Sequence, residues 1–228
     1  MGNSHWLVCA VAVFRKDAQV EWRTRYALGA VILFAVTTLV AVSAALNAAT
    51  IKSDVKAGLL WIVLLFAALS GLSRVFVREE EAGTAALLRL HTPPTAVYAG
   101  KWLVNLALVF AVELVSVPLF LIVLLPPQVN FGLLFGVLLL GGLGLVGAST
   151  FVAALVAQAS SGKSSLFFVV AFPILMPLLL IAVQATIGAF DPIAAYQSRA
   201  EKDLGLLAAY SIVVTTASFL LFEYIWHD

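Results

Sequence analysis

Long apolar runs alternate with short polar segments along nearly the whole chain. Because the hydrocarbon core of a bilayer is ~30 Å thick, a helix needs about 20 apolar residues to cross it. Six stretches meet that requirement and are predicted transmembrane helices: Tyr26–Leu46, Gly58–Phe76, Trp102–Leu125, Phe131–Ala157, Leu166–Phe190 and Leu204–Trp226. The pattern therefore predicts an all-α membrane protein with a single transmembrane domain, residues 1–228.

The first segment, residues 1–25, has the pattern of an amphipathic helix. Its apolar side chains recur at helical spacing, at Leu7, Val11, Phe14, Ala18 and Trp22. Its charged and amide side chains fall on other faces, at Arg15, Lys16, Gln19 and Arg23. Such a helix lies in the membrane interface, with Trp6 and Trp22 suited to headgroup depth. A soluble N-terminal cap is the alternative.

The fourth run, Phe131–Ala157, carries six glycines. Small residues let helix backbones approach closely, so we expect this helix inside the bundle.

The distribution of lysine and arginine near the ends of the spans predicts the orientation. One side holds Arg15, Lys16, Arg23, Arg25, Arg74, Arg78, Arg89, Lys101 and Lys163. The other side holds Lys52, Lys56, Arg199 and Lys202. Because cytoplasmic loops carry the excess of positive charge, both termini are predicted to be cytoplasmic.

A polar segment, Arg78–Lys101, separates the second and third apolar runs. It has a helix break at Gly83 and a short amphipathic piece, Thr84–Leu90, which the pair Pro93–Pro94 stops. A helix with an apolar ridge and flanking charges suits docking to a partner protein, although a solvated charge run is the usual interpretation of such clusters. The candidate docking residues are Arg78, Glu79, Glu80, Glu81, Gly83, Thr84, Leu87 and Leu88.

Composition agrees with a membrane protein. The chain is 63% hydrophobic and 11% charged, with a mean hydropathy of +1.08, whereas soluble domains are about 45–50% apolar and about 25% charged. A net charge of +1 gives no reason to expect nucleic acid as a partner. The one cysteine, Cys9, excludes a disulfide within the chain, and the N-terminus lacks the pattern of a cleavable signal peptide.

Glu113 lies near the middle of the third span. A carboxylate there costs a few kcal/mol or more unless it is paired, hydrated or protonated, so it is a candidate functional residue. Asn105 and Ser116 could share its polar face. A protonated glutamate that is bonded to a neighbouring helix and has a purely structural role is the alternative.

Two kinds of catalytic site have no support. The run from Gly162 to Ser165 lacks the first glycine of a phosphate-binding loop, since position 157 is alanine, and it follows a membrane helix instead of a strand. Metal-ligand motifs are absent, so we predict neither nucleotide hydrolysis nor a metal site in this chain.

Six spans, an interfacial helix and a glutamate-rich loop between the second and third spans resemble the ABC-2 type exporter permeases. Within that superfamily, Phe76, Glu79, Gly83 and Thr84 resemble the F-x-x-D-x-x-D-G-S-L signature of haem exporter protein B, the permease of cytochrome c maturation. Glu79 takes the place of the first aspartate, and Thr84 takes that of the serine.

The resemblance covers nearly the whole chain, with two departures at Ala82 and Ala85, which replace the second aspartate and the leucine. The other similar stretches are Glu21–Arg23, Arg25–Leu28, and the glycine-rich fourth span followed by Gly162, Pro173, Pro177 and Leu178–Leu180.

The resemblance implies a six-helix permease in the bacterial inner membrane. The loop over residues 77–101 would supply a coupling helix that docks in a cleft of a separate ABC ATPase subunit, which binds and hydrolyses ATP. The complex would include a haem-handling membrane protein, and haem would pass to a periplasmic chaperone. The permease would have no enzyme activity of its own.

The chain offers few side chains that could act as axial ligands to haem iron. Axial ligands are normally His, Met, Cys or Tyr. His5, His91 and His227 are all predicted to be cytoplasmic, the outer loops offer Tyr196, and the membrane interior offers Met176. This favours release of a haem-loaded chaperone over passage of haem through the chain, so we predict no bound cofactor.

Three alternatives remain open at this stage. One is an ABC-2 permease for another cargo, such as a lipid, a polysaccharide or a drug. The second is an intramembrane enzyme with Glu113 as base, which needs a second polar group at the same depth. Only Asn105, Ser116 and Gln184 could supply that group. The third is a scaffold that transports nothing.

Overall fold

The computed structural model describes residues 2–24, 26–45, 51–72, 76, 79, 83, 88, 90, 92–158 and 163–227. Within them the chain forms seven helices: α1 (Gly2–Thr24), α2 (Tyr26–Ala45), α3 (Ser53–Leu72), α4 (Pro94–Leu124), α5 (Phe131–Ala157), α6 (Lys163–Phe190) and α7 (Ala194–His227). No strand occurs among these residues, so the all-α prediction is confirmed.

Five helices in the described part of the chain are long and apolar enough to cross a membrane. They are α3 to α7. The helix α2 has 20 residues, of which Ile32–Ala45 form a described apolar stretch. The chain is therefore a multi-pass membrane protein, whereas the sixth span stays a prediction.

Four helices begin earlier than the apolar runs that predicted them. The helix α4 starts at Pro94, eight residues before the predicted span, and α7 starts at Ala194, ten residues before it. The apolar run marks only the part of a helix that suits hydrocarbon, and the helix continues beyond it. At α4, Pro94 occupies the first helical turn, where proline's fixed φ and missing N–H are tolerated. The last residues of the predicted loop, 94–101, are therefore the first two turns of α4, which begins at the pair Pro93–Pro94.

The glycine-rich α5 lies inside the bundle, as predicted, and packs against α4, α6 and α7. Methyl groups at Gly144 and Gly147 would come within 2.8 Å of Ser211 Oγ and 2.7 Å of Thr215 Oγ1 on α7. Ser211 also donates a hydrogen bond to the carbonyl of Leu140, at 2.7 Å. The glycines therefore let α5 and α7 approach closely.

A hydrogen bond joins the beginning of α3 to the C-terminus of α4. Lys56 is 2% exposed, and its amine donates to the carbonyl of Leu125, at 2.9 Å, at the C-terminus of α4. Leu125 itself has the left-handed backbone of a helix cap, with φ 41°. A cation at this position satisfies a carbonyl that the helix leaves unpaired. Lys56, predicted as an outer-loop charge, is thus a buried cap.

The N-terminal helix α1 crosses the beginning of α4. Trp6 Nε1 donates to Thr95 Oγ1 at 2.9 Å. Farther along, Gly100 lies directly against α1, since a methyl group there would come within 2.8 Å of the carbonyl of Ala10 and of a γ-carbon of Val13. The helix is confirmed, and its placement in the membrane interface stays a prediction.

The close contact between α6 and α7 can be tested at Gly188. A methyl group there would lie 2.5 Å from the carbonyl oxygen of Tyr196 and from Cβ of Ala200. Backbone cannot give way as a side chain can, so we expect Gly188→Ala to lower the free energy of unfolding by about 1–3 kcal/mol. The control is Gly205→Ala in α7, which meets open space. Thermal unfolding in detergent measures both, and equal effects would contradict the packing.

Candidate functional site

Four charged residues meet where α1, the segment around Glu79 and α4 converge. Lys101 Nζ lies 3.1 Å from Asp17 Oδ2 and 3.2 Å from Glu79 Oε1. Lys16 also donates to Glu79 Oε1 and lies 3.2 Å from Asp17 Oδ1. The two cations and two carboxylates balance, and we call this set the ion cluster. It joins three parts of the chain that are far apart in sequence.

The ion cluster is largely withdrawn from solvent. The side chain of Lys101 is 1% exposed, and that of Glu79 is 8% exposed. Burying charges is costly unless they are paired and hydrogen-bonded. Each buried charge here has a partner of opposite sign, so the arrangement holds only while all three elements stay together.

The pKa of Lys16 reflects these partners. Burial alone would lower it, but the hydrogen bond to Glu79 and the charges of Asp17 and Glu79 together raise the pKa of Lys16 above its ordinary value. Because the folded pKa exceeds the unfolded one, this contribution to stability is fully present at neutral pH and is lost only as the pH rises through the raised value.

Aromatic rings pack against the ion cluster and connect it to α7. The ammonium of Lys101 lies 5.2 Å from the ring centroid of Phe76. Phe76 in turn contacts Tyr98 of α4 and Phe222 and Trp226 of α7, with centroid distances of 6.5, 5.5 and 6.3 Å. A cation over an aromatic face is attracted by the ring quadrupole. Phe76 and the ion cluster thus hold the start of the polar segment against α4 and α7.

Glu79, one of the predicted docking residues, lies inside the protein instead of on its surface. Glu79 is buried and points into the protein, towards Lys16 and Lys101. Leu88 is half-buried and packs against the core, whereas Leu90 is 78% exposed. Gly83 is exposed in a turn with φ +68°, as expected for the predicted helix break. The other predicted docking residues lie outside the described residues: Arg78, Glu80, Glu81, Thr84 and Leu87.

Sequence reasoning missed the pairing in the ion cluster. Lys16 and Lys101 were counted only as charges that set the orientation, and Asp17 was given no role. One signal was present, since Lys101 lies next to an apolar run and Asp17 lies among cations. Nothing in the spacing, however, joins residues 84 positions apart.

Glu113 lines a second site, an apolar cavity of about 650 Å³ between α4 and α5. Glu113 is 8% exposed, and its Oε1 sits against Gly142, where a methyl group would approach to 2.8 Å. The cavity wall is otherwise apolar: Phe110, Leu114, Val117, Pro118, Leu121, Phe131, Leu134, Phe135, Leu138 and Leu139. We call this the α4–α5 cavity.

The predicted polar face around Glu113 does not form a connected group. Asn105 Nδ2 donates to Thr150 Oγ1 at 2.8 Å on α5, while Ser116 Oγ is buried without a partner among the described residues. No hydrogen bond joins either of them to Glu113, and Gln184 is exposed on α6. In the part of the chain that the structure describes, the three predicted polar partners therefore lie apart from the Glu113 carboxyl.

The fold and the ion cluster define a multi-pass helical membrane protein whose polar segment is fastened to the bundle at one end. Over residues 8–222 the chain matches the family described as CcmB protein, and it belongs to that family. These proteins are membrane components of the ABC system for haem export and cytochrome c maturation. The predicted resemblance to haem exporter protein B is confirmed. No curated protein matches the chain.

The ion cluster predicts a large cost for removing one of its charges. Lys101→Met would remove the buried ammonium that Glu79 and Asp17 share, and breaking a buried pair costs about 3–5 kcal/mol. We expect a strongly lowered midpoint of thermal unfolding in detergent. Lys202→Met, at an exposed position, is the matched control. If both variants unfold alike, the ion cluster does not stabilise the protein.

The contact between Glu113 and Gly142 can be isolated with a double-mutant cycle. Gly142→Ala should cost about 0.5–1.5 kcal/mol, because the new methyl group forces the end of the Glu113 side chain away from its preferred rotamer. Combining it with Glu113→Ala should relieve the collision and give a coupling of about 0.5–1.5 kcal/mol.

The neighbouring glycine supplies the control for this cycle. Gly141→Ala collides with Trp61, so its cost should not change when Glu113 is replaced. Unfolding midpoints of the single and double variants give both couplings. Additive effects of Gly142→Ala and Glu113→Ala would contradict the contact.

Proposed function

We propose that this chain is the permease subunit through which a separate ATPase drives cytochrome c maturation. ATP binding and hydrolysis in the partner move the polar segment, and the segment moves the helices to which it is fastened. The result is haem export or release of a haem-loaded periplasmic chaperone. Family membership supports the role in this system.

One observation supports the route of coupling: the polar segment is anchored at its start and exposed farther along. Glu79 and Phe76 fix it to α1, α4 and α7, while Leu90 presents an apolar side chain to the surroundings. A displacement applied at the exposed part must therefore strain the ion cluster or carry α4 with it. In this proposal Glu79 is a positioning residue, and the direct contact with the ATPase comes from residues near Leu90.

We also propose that haem is handled by another membrane protein of the complex. The wall of the α4–α5 cavity contains no His, Met, Cys or Tyr side chain. The same holds for a second, shallow cavity on α1, lined by residues between Phe14 and Arg23. Axial ligation normally requires one of these. Tyr196 and Met176 are 44% and 39% exposed on α7 and α6.

The same proposal places the chain in the bacterial inner membrane with both termini in the cytoplasm. The excess of lysine and arginine on the side of the termini and of the polar segment supports this orientation. The ATPase docks on that side, and the periplasmic chaperone and the haem-handling membrane protein meet the complex from the other side or within the membrane.

Mild extraction from the native membrane, followed by mass spectrometry of the co-purifying subunits, tests the proposal as a whole. We expect an ATPase and a haem-handling membrane protein. An ATPase alone with two copies of this chain would redirect the assignment to another cargo. Recovery without an ATPase would favour the scaffold and contradict the proposal.

The docking contact is tested with Leu90→Asp. An exposed apolar anchor in an interface is worth about 1–2 kcal/mol, so the variant should bind the ATPase about tenfold more weakly while unfolding at the wild-type temperature. Ile193→Asp is the matched control, since Ile193 is 54% exposed between α6 and α7. Unchanged ATPase binding by Leu90→Asp would show that the contact lies elsewhere.

A further inference from the structure

The outward face of α1 changes character along its length. In the first half the large exposed side chains beyond His5 are apolar, with Leu7, Val8 and Val11 between 56% and 67% exposed. In the second half Arg15, Gln19 and Arg23 recur every four residues and are all exposed. Side chains four residues apart lie on the same side of a helix. The outward face thus joins an apolar patch to a cationic one.

Charges are also sorted across α1, from the inside to the outside. Its two carboxylates turn away from the outward face: Asp17 pairs with Lys101, and Glu21 is 7% exposed. In the described part of the chain no ion pair includes Arg15 or Arg23. Among the described residues, Arg15 and Arg23 on the outward face are therefore not compensated by ion pairs.

A shallow cavity of about 650 Å³ lies within the cationic half. Lys16, which is 46% exposed, forms part of its wall while its amine pairs with Glu79. The full lining is Phe14, Arg15, Lys16, Ala18, Gln19, Val20 and Arg23. Its cations suit a phosphate group, and its apolar side chains suit the carbon atoms next to one.

We propose that this cavity binds the phosphate of an anionic phospholipid. Basic side chains on an amphipathic helix next to a membrane attract acidic headgroups. The apolar half of the same face favours a lipid over a soluble anion. Leu7, Val8 and Val11 would contact acyl chains while the cations bind the headgroup. The site goes beyond the proposed transport function, since lipid binding needs no ATPase.

Gln19 gives a matched pair of variants at the centre of the site. It is exposed between Arg15 and Arg23, so charge can be changed there without touching the ion cluster. For the full chain in mild detergent, native mass spectrometry would measure binding of phosphatidylglycerol and of phosphatidylcholine with the same acyl chains. We expect phosphatidylglycerol to bind about fivefold more weakly to Gln19→Glu and about fivefold more tightly to Gln19→Lys.

Removing the two arginines extends the test. Arg15→Gln with Arg23→Gln should weaken phosphatidylglycerol binding about thirtyfold and leave phosphatidylcholine unchanged. Lys52→Gln with Arg199→Gln removes two exposed cations elsewhere and should have no effect.

Four outcomes would overturn the proposal. The first is equal binding of the two lipids by the wild type, and the second is phosphatidylglycerol binding that no α1 variant changes. The third is binding of inorganic phosphate that depends on Gln19 in the same way. The fourth is that the α1 variants bind lipid normally but no longer co-purify with the ATPase subunit. The third would indicate a soluble-anion site, and the fourth a protein-docking face.

Discussion

The pairing of buried charges around Lys101 is the constraint on which the junction of α1, the polar segment and α4 depends. An ammonium group that is almost fully buried is stable only with carboxylates within reach. Asp17 comes from α1 and Glu79 from the polar segment, so if either element left α4, Lys101 would lose one of these two carboxylate contacts. The pairing therefore fixes where the N-terminal helix and the polar segment begin. Phe76 adds an aromatic contact with α7 and extends the same constraint to the end of the chain.

In the proposed function, that constraint carries a movement of the polar segment to the membrane helices. A segment that was merely solvated would move without consequence for the membrane helices. Here the segment is fixed at Glu79 and exposed at Leu90. A partner would therefore push on the segment near Leu90, while the ion cluster holds it at Glu79. Close packing turns such a displacement into a shift of whole helices, because interiors repack between discrete arrangements more readily than they deform.

The packing of the membrane helices depends on how closely their backbones can approach one another. The glycines of α5 let α4 and α7 come near enough that a single methyl group would collide with a neighbour. Glu113 depends on the same feature, since its carboxyl occupies the space that Gly142 leaves empty. The carboxyl also borders an apolar cavity that opens between α4 and α5. Among the described residues its surroundings are apolar side chains and the backbone at Gly142, so packing holds the carboxyl in place.

The amino-acid sequence by itself determined the helical class, the position of most apolar helices, the interior place of α5 and the family. These follow from local properties: hydrophobic length, glycine content and short motifs. Tertiary structure alone decided that Glu79 faces inward, that Lys56 caps α4, and that α4 begins at Pro94. The physical reason is that a charge's environment depends on residues far away in the chain. A pattern along the sequence shows where a lysine or glutamate stands but not which distant partner permits its burial.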